Sequence, residues 1–261
     1  MGHYSNKKKK FVRDVRRMGD LPELSPGQLI ISVEDNSILD DETIMPYINR
    51  SSKVPWIWEY NDGPGPIKTC PGTTDLAQLG VTIPLWADFR CRMSPDGGLE
   101  CDLNVMKTSE EQTVGRIEPF TYDQTGSCPW TELRDKAIST ANYLKIVSPF
   151  YFKTPRGYST MIIGHPMYPI SEFAVVPGVV NTDSYHTMNV VLNVLTPKEF
   201  YVAQGYPIAQ AIVFKRSDNP REIIEGDSSV HKLLKHRGFG GPWPPQWRKG
   251  KYKREQRRWD R

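Results

Sequence analysis

The sequence predicts a mainly β protein with one short helix and an extended basic arm at each end. Its 261 residues include 22 Pro and 20 Gly, a density that favours short strands and turns over long helices. Apolar and polar residues alternate in several segments bounded by turn residues, a pattern typical of half-buried strands. Residues 1–17 and 246–261 each carry a net charge of +6, which leaves −8 on the rest of a chain whose total is +4. This division predicts two basic arms on an acidic body.

Composition argues against several classes of protein. The chain has 7 Trp, 12 Tyr and 9 Phe, and disordered chains are poor in aromatic residues. No apolar run approaches the ~20 residues that a membrane-spanning helix needs, so we expect no membrane partner. The first residues carry charge without a following apolar segment, so we expect no secretory signal. The sequence therefore predicts a soluble protein with a sizeable core.

The first half of the chain contains four candidate strand segments. Residues 28–33 (Gln-Leu-Ile-Ile-Ser-Val) end at a turn-prone Glu-Asp-Asn-Ser, and residues 55–60 (Pro-Trp-Ile-Trp-Glu-Tyr) precede a loop rich in Gly and Pro. Residues 81–92 lead into the turn at 94–98 (Ser-Pro-Asp-Gly-Gly), which is followed by a further alternating segment at 99–105. Two alternating segments joined by such a turn predict a β-hairpin.

The predicted helix covers residues 130–144. Thr131 suits the N-cap, and the apolar residues that share one helical face are Leu133, Ala137, Ile138 and Ala141. From 146 to 214 the pattern is again one of strands broken by Pro and Gly, which predicts a compact all-β unit.

Cysteine and histidine spacing does not predict a metal site. The four cysteines are Cys70, Cys91, Cys101 and Cys128, and none of them forms a C-x-x-C pair. A structural zinc site normally shows such close ligand pairs, and the five histidines form neither H-x-x-x-H nor HExxH. We therefore expect reduced thiols in or near the core, no metal and no cofactor.

The two arms are candidate partner-binding segments. Basic residues of this density seek an acidic partner, which is either nucleic acid or the acidic surface of another subunit. For the N-terminal arm a solvated segment that only raises solubility is an equal alternative. In the C-terminal arm tryptophans are interleaved with the charges, and they can stack on bases or anchor in a hydrophobic groove. The candidate contact residues are Lys7, Lys8, Lys9, Lys10, Arg248, Lys249, Lys251, Lys253, Arg254, Arg257, Arg258, Trp247 and Trp259.

Residues 146–216 resemble a known superfamily. Residues 153–160 are Lys-Thr-Pro-Arg-Gly-Tyr-Ser-Thr, residues 177–185 are Pro-Gly-Val-Val-Asn-Thr-Asp-Ser-Tyr, and residues 205–210 are Gly-Tyr-Pro-Ile-Ala-Gln. In order and spacing these segments resemble the Pro-Arg-Ser-Ser, Gly-Val-Ile-Asp-x-Asp-Tyr and Gly-Asp-x-Ile-Ala-Gln motifs of the dUTPase and dCTP-deaminase superfamily. The resemblance implies a β-clip or jelly-roll-like body and a homotrimer.

Most of residues 55–216 also resemble a group of uncharacterised proteins encoded by tailed bacteriophages. Besides the segments above, the similar elements are Cys-Pro-Gly-Thr-Thr-Asp-Leu at 70–76, Pro-Leu-Trp-Ala-Asp at 84–88 and Thr-Gly-Ser-Cys-Pro at 125–129. This resemblance implies a location in the virion, with the host cytoplasm as the alternative.

The superfamily resemblance also marks candidate ligand contacts. They are Arg156, Ser159, Asn181, Asp183, Tyr185 and Gln210. Asn181 stands where the enzymes carry the Asp that orients the attacking water, and a neutral amide cannot serve as a general base. Gly157 and Tyr158 replace the two serines of the phosphate motif. We therefore predict no catalytic residue, and Gln210 is equally suited to hydrogen-bonding main chain.

These observations predict four regions: a basic arm at 1–20, a β-rich region at 21–145, a dUTPase-like core at 146–226 and a basic aromatic tail at 227–261. The function they favour is that of a non-enzymatic phage structural protein, a capsid decoration or neck component that contacts other virion proteins. The alternative is a nucleotide-binding or dNTP-hydrolysing enzyme of the dUTPase type. A third hypothesis is a host-takeover factor that binds nucleic acid or nucleotide signals.

Overall fold

The structure is a computed structural model that describes residues 23–33, 47–48, 76, 79–94, 99–104, 115–119, 143–168, 170–222, 225–226 and 228–230. The strand pairs are antiparallel, and a short 3-10 helix covers Arg216–Asp218, so the mainly β class is confirmed. The strands are β1 (Ile30–Val33), β2 (Tyr47–Ile48), β3 (Val81–Pro84), β4 (Asp88–Met93), β5 (Leu99–Asn104), β6 (Arg116–Pro119), β7 (Tyr143–Lys153), β8 (Tyr158–Gly164), β9 (Phe173–Val176), β10 (Gly178–Val180), β11 (Thr187–Val194), β12 (Phe200–Val202) and β13 (Pro207–Lys215). No helix in this part of the chain is long and apolar enough to cross a membrane.

The strands form three sheets. The first has the order β1-β7-β11-β9, and β6 also pairs with β7. The second has the order β10-β8-β13-β3-β2, and the third has the order β12-β4-β5. Strand β7 is 11 residues long, which lets it pair with β1 through residues 150–153 and with β6 through residues 144–147.

Each sheet combines strands from both sides of the predicted boundary at residue 146. Strands β1 and β6 pair with β7, β3 pairs with β13, and β4 pairs with β12. Strand β7 itself crosses the boundary. The strands of the range 21–145 therefore complete the sheets of the range 146–226.

Alternation along the strands builds one core that all three sheets share. On β11, Met188, Val190 and Leu192 are buried at every second position, as expected for a strand with one face toward the core. Aromatic side chains fill the space between sheets: Trp86 lies edge-on against Phe150, with ring centroids 6.2 Å apart. Full burial of such a side chain contributes about 1.5 to 3 kcal/mol.

Of the predictions for single segments, the structure confirms two, contradicts part of one and does not cover the rest. Residues 28–33 contain β1, and the hairpin is confirmed, since β4 and β5 pair over their full length from Asp88↔Asn104 to Met93↔Leu99. The helix prediction is wrong at its end, because Tyr143 and Leu144 begin β7 and Leu144 lies in the core. Leu144 fits the alternation of β7, which overrides any local helical preference. Residues 130–142 of the predicted helix and the predicted strand at 55–60 lie outside the described residues.

Candidate functional site

The candidate site is a corner of the second sheet at which two tight turns meet. The first turn joins β7 to β8, and Tyr158 N donates to Pro155 O at 3.2 Å. Gly157 occupies the third position of this turn with φ +84°, the left-handed conformation that a type II turn requires there. The Gly at this position, where the superfamily motif has Ser, thus has a backbone explanation. Arg156 lies at the exposed tip.

The second turn follows β10 and leads into β11. Ser184 N and Tyr185 N both donate to Asn181 O, at 3.0 Å and 2.8 Å. Ser184 Oγ donates to the same carbonyl at 3.2 Å. These bonds fix the backbone through Thr182 and Asp183, so the Asp183 side chain has a defined direction.

Arg216 joins the two turns through Asp183. Its Nη1 and Nη2 donate to Asp183 Oδ1 and Oδ2 at 3.0 Å and 2.6 Å, a bidentate pair. Gly157 N donates to Asp183 Oδ2 at 2.9 Å. The Arg216 hydrogen bonds lower the pKa of Asp183 to about 2, with a further contribution from Gly157 N, although burial opposes the shift. The same pairing raises the pKa of Arg216.

Arg216 organises this corner, although it is not among the candidate residues that the sequence indicates. Strand β13 pairs with β8 so that Lys215 is opposite Tyr158, which places Arg216 beside the first turn. Arg216 N donates to Gly157 O at 3.0 Å. The sequence does show a basic residue directly after β13. Its pairing with Asp183, however, depends on the register between β13 and β8.

Ser159 and Asn181, two of the candidate ligand contacts, bind each other. Ser159 Oγ donates to Asn181 Oδ1 at 2.7 Å and accepts from Arg216 Nη1 at 2.9 Å. Ser159 is fully buried, whereas Asn181 is exposed. A phosphate that accepts from Ser159 Oγ would have to replace its hydrogen bond to Asn181.

Three buried threonines form a hydrogen-bond network next to this corner. Thr182 Oγ1 shares hydrogen bonds with Thr154 Oγ1 at 2.8 Å and with Thr160 Oγ1 at 2.9 Å. All three residues are buried, and Thr154 N donates to Thr182 O at 3.2 Å. Because buried hydroxyls need partners, this network fixes the strand ends against each other.

The remaining two candidates take part in other contacts. Tyr185 is 53% exposed, and its hydroxyl accepts a hydrogen bond of 3.5 Å from Asn189 Nδ2. Gln210 is completely buried, and its Nε2 donates to Leu76 O at 2.7 Å and also to Leu79 O. Gln210 therefore hydrogen-bonds to main-chain carbonyl groups, which is one of the two roles that the sequence suggests for it.

An open groove of about 390 Å³ passes over β7, β10 and β11. Its walls are largely apolar, with Val176, Val179 and Val191 among the lining residues, and Lys145 and Asn189 add polar groups. Asn189 Oδ1 is buried without a hydrogen-bond partner. The groove provides space for a ligand, and among the described residues of its lining Lys145 is the one charged side chain.

His165 is buried and directly follows β8. Met167 N donates to His165 Nδ1 at 3.2 Å, so Nε2 carries the proton that faces Thr82 Oγ1 at 3.2 Å. Burial lowers the pKa of His165 to about 4, so this ring is neutral at pH 7. It serves as a core hydrogen-bonding group.

Within the described residues, no three His, Cys, Asp or Glu side chains lie together in a way that would hold a metal ion. Cys91 is buried and Cys101 is partly buried, and both are free thiols packed in or against the core. Cys70, Cys128 and all the candidate contact residues of the two arms lie outside the described residues.

Comparison with known proteins finds a structural similarity of low score. No family model and no curated protein matches the chain. Among solved structures, it is similar to native EIAV dUTPase with 9% sequence identity and a TM-score of 0.32. The similarity covers 57% of this chain and 86% of that one. A likeness of this size transfers no residue role, ligand or activity.

Proposed function

We propose that this chain is a non-enzymatic structural protein of a bacteriophage particle, a homotrimer that docks onto other virion proteins through its basic arms. The observation that carries the proposal is the state of Asp183. Its carboxylate accepts three hydrogen bonds from Arg216 and Gly157, and its pKa of about 2 makes it a poor proton acceptor. Asn181, in the position of the superfamily's catalytic Asp, is neutral. Neither side chain suits the activation of a water molecule.

The charge division supports docking through the arms. The body between the arms carries −8 and each arm carries +6, so the arms are attracted to acidic surfaces that would repel the body. Trp247 and Trp259 lie among the basic residues of the C-terminal arm, and tryptophan is enriched at the energetic centres of interfaces. Charge and aromatic anchors together favour a protein surface over a solvated tail. The phage origin and the trimer rest on the sequence resemblances.

The test is protein mass spectrometry on purified virions of the source phage, with copy number measured against the major capsid protein. We expect the protein in particles at a copy number that is a multiple of three. Absence from particles would refute the structural role.

A second experiment tests whether the C-terminal arm is needed for docking and whether its positive charges are needed in addition to its tryptophans. We compare a chain without residues 246–261 with a full-length chain in which the Lys and Arg of that segment become Gln and the tryptophans are kept. Both should retain the β body by circular dichroism, and both should lose particle occupancy. Unchanged occupancy of the deletion variant would refute docking through this arm. Binding to DNA that falls steeply with salt would instead assign the arm to nucleic acid.

The alternative, a nucleotide-binding or dNTP-hydrolysing protein, is favoured by Arg156 and the groove. Arg156 is exposed at the tip of its turn, where its guanidinium is accessible to a phosphate, and the groove lies over β10 in the same sheet. Pyrophosphate release from a panel of deoxynucleoside triphosphates tests this function, with Arg156→Ala as the control variant. We expect no release. Release that Arg156→Ala abolishes would establish the enzyme and overturn the structural proposal.

A further inference from the structure

We propose that Cys91 and Cys101 form a redox modification site, at which a small hydroperoxide converts the two thiols into a cross-strand disulfide. This inference is independent of the proposed function. It rests on the β4–β5 hairpin, in which Cys91 and Cys101 are direct partners. Their sulfur atoms are 2.8 Å apart and share a hydrogen bond.

The backbone already has the spacing that a disulfide needs. Directly opposed residues of antiparallel strands have Cα atoms about 4.5 to 5.5 Å apart. Disulfides are found at Cα separations of about 4.4 to 6.8 Å. The two side chains face each other on the same side of the sheet, so small side-chain rotations bring the sulfurs to bonding distance. No movement of the core strands is required.

Access and proton sharing assign the two sulfurs different roles. Cys91 is fully buried, whereas Cys101 is partly exposed at the margin of the core. The hydrogen bond from Cys101 lowers the pKa of Cys91 and raises the pKa of Cys101. Cys91 is therefore the sulfur that ionises more readily, and Cys101 becomes the thiolate when its proton moves across the short hydrogen bond to Cys91. Access then decides that Cys101 reacts first with the peroxide.

The chemistry balances without any group beyond the peroxide. The Cys101 thiolate attacks one oxygen of the hydroperoxide, the O–O bond breaks, and Cys101 becomes a sulfenic acid while the other oxygen leaves with a proton as water or alcohol. The Cys91 sulfur then attacks the Cys101 sulfur, the S–O bond breaks, and water leaves with the second proton. Two thiols lose two electrons, and the peroxide gains them. A dithiol reverses the reaction by thiol–disulfide exchange.

The disulfide would connect the outer strand of the third sheet to its central strand. Strand β4 pairs with β12 on its other side, where Cys91 is opposite Phe200. Phe200 packs against Phe89 and Phe173, with ring centroids 5.8 Å and 6.0 Å away. Oxidation would therefore attach β5 covalently to a strand that is already anchored in the core.

The test treats the full-length folded protein with a modest excess of hydrogen peroxide, alkylates the remaining thiols in denaturant and maps the peptides without reduction. We expect the loss of two of the four thiols, one peptide that links residues 91 and 101, and recovery of four thiols after dithiothreitol. The melting temperature should rise by about 5 °C on oxidation and return on reduction.

Cys101→Ser removes the site, and Cys128→Ser is the matched control. The first variant should retain its three thiols or acquire a sulfinic acid without any linked peptide, and the second should still form the 91–101 link. If Cys101→Ser does not fold, the peptide map of the unaltered protein decides alone. Over-oxidation of Cys101 with Cys91 still alkylatable, or a link to Cys70 or Cys128, would overturn the proposal.

Discussion

The guanidinium of Arg216 binds both carboxylate oxygens of Asp183 across 33 residues of chain, with donor–acceptor distances of 3.0 Å and 2.6 Å. Gly157 N completes the hydrogen bonding of the carboxylate. The Asp183 side chain is 11% exposed and that of Arg216 is 39% exposed, so the pair is shielded on one side only. It closes the corner where β8 begins and where β10 and β13 end. Asp183 is therefore expected to contribute to stability.

Asp183→Asn should destabilise the fold at neutral pH. The amide loses the charge that pairs with Arg216, and the solvent contact of Arg216 limits the loss to about 1 to 2 kcal/mol. The pKa of Asp183 in the folded state, about 2, is below its value of about 4 in the unfolded chain. The stabilisation is therefore complete above pH 5 and is lost as the pH falls toward 2.

Urea unfolding of the unaltered protein and Asp183→Asn at pH 7, 5 and 3 measures this contribution. The difference in unfolding free energy should be constant from pH 7 to 5 and smaller at pH 3. Asp218→Asn is the control, because Asp218 is exposed near the same corner. An equal loss in both variants, or a difference that does not depend on pH, would contradict a specific ion pair.

His165 should make the protein sensitive to mild acid. Burial lowers its pKa to about 4, whereas in the unfolded chain it is near 6.5. The unfolded chain therefore takes up a proton first as the pH falls, and stability declines between pH 6.5 and 4 by about 3 kcal/mol. Below pH 4 both states are protonated and this contribution changes no further.

His165→Gln removes the titrating group and keeps an acceptor for Met167 N and a donor for Thr82. We expect a flatter stability profile between pH 6.5 and 4 in urea unfolding experiments. His186→Gln, a change at a partly buried histidine, should leave the decline in place. A decline of the same size in His165→Gln would assign the acid sensitivity to other groups.

Two glycines with positive φ should respond very differently to alanine. At Gly80 a Cβ would lie 1.9 Å from Ala211 O, a main-chain atom of β13, in addition to the strain of φ +68°. At Gly157 φ is +84°, but no atom lies within 4 Å of the Cβ position. Gly157→Ala should therefore cost only the conformational strain, about 1 to 2 kcal/mol.

Gly80→Ala forces β13 and the turn before β3 apart, and we expect a loss of at least about 3 kcal/mol or failure to fold. Thermal melts of the two variants against the unaltered protein give the comparison. Similar melting temperatures for both variants would show that the close approach of Gly80 to β13 is not needed for folding.

The parts of the fold that are local in sequence were predictable, whereas those that depend on register were not. The hairpin of β4 and β5 follows from alternation around one turn, so its pattern is contained in about 17 residues. Tyr143 and Leu144 were assigned to a helix because apolar spacing in the preceding residues suits one, while the pairing with β6 and β11 makes them a strand. Local propensity is weaker than such pairing.

The same distinction between local and register-dependent features applies to the residues of the candidate site. Asn181 and Asp183 were identified because they share a short turn with a characteristic sequence. Arg216 was not, because its contact with Asp183 exists only once β13 has paired with β8 in the observed register. For Gln210 the sequence left two roles open, and only its hydrogen bonds to Leu76 O and Leu79 O distinguish them.

Gln210→Leu tests whether this buried amide serves the main chain. Leucine has a similar size but cannot donate to Leu76 O and Leu79 O, so both carbonyls lose this donor, and stability should fall by about 2 kcal/mol. Hydrogen exchange should accelerate at Leu79 N, which donates to Leu76 O within the same turn. Gln204→Leu, at an exposed position, should change neither quantity. Unchanged stability and exchange in Gln210→Leu would mean that the main chain at Leu76 and Leu79 does not need this amide. The ligand-binding role would then again be a candidate for Gln210.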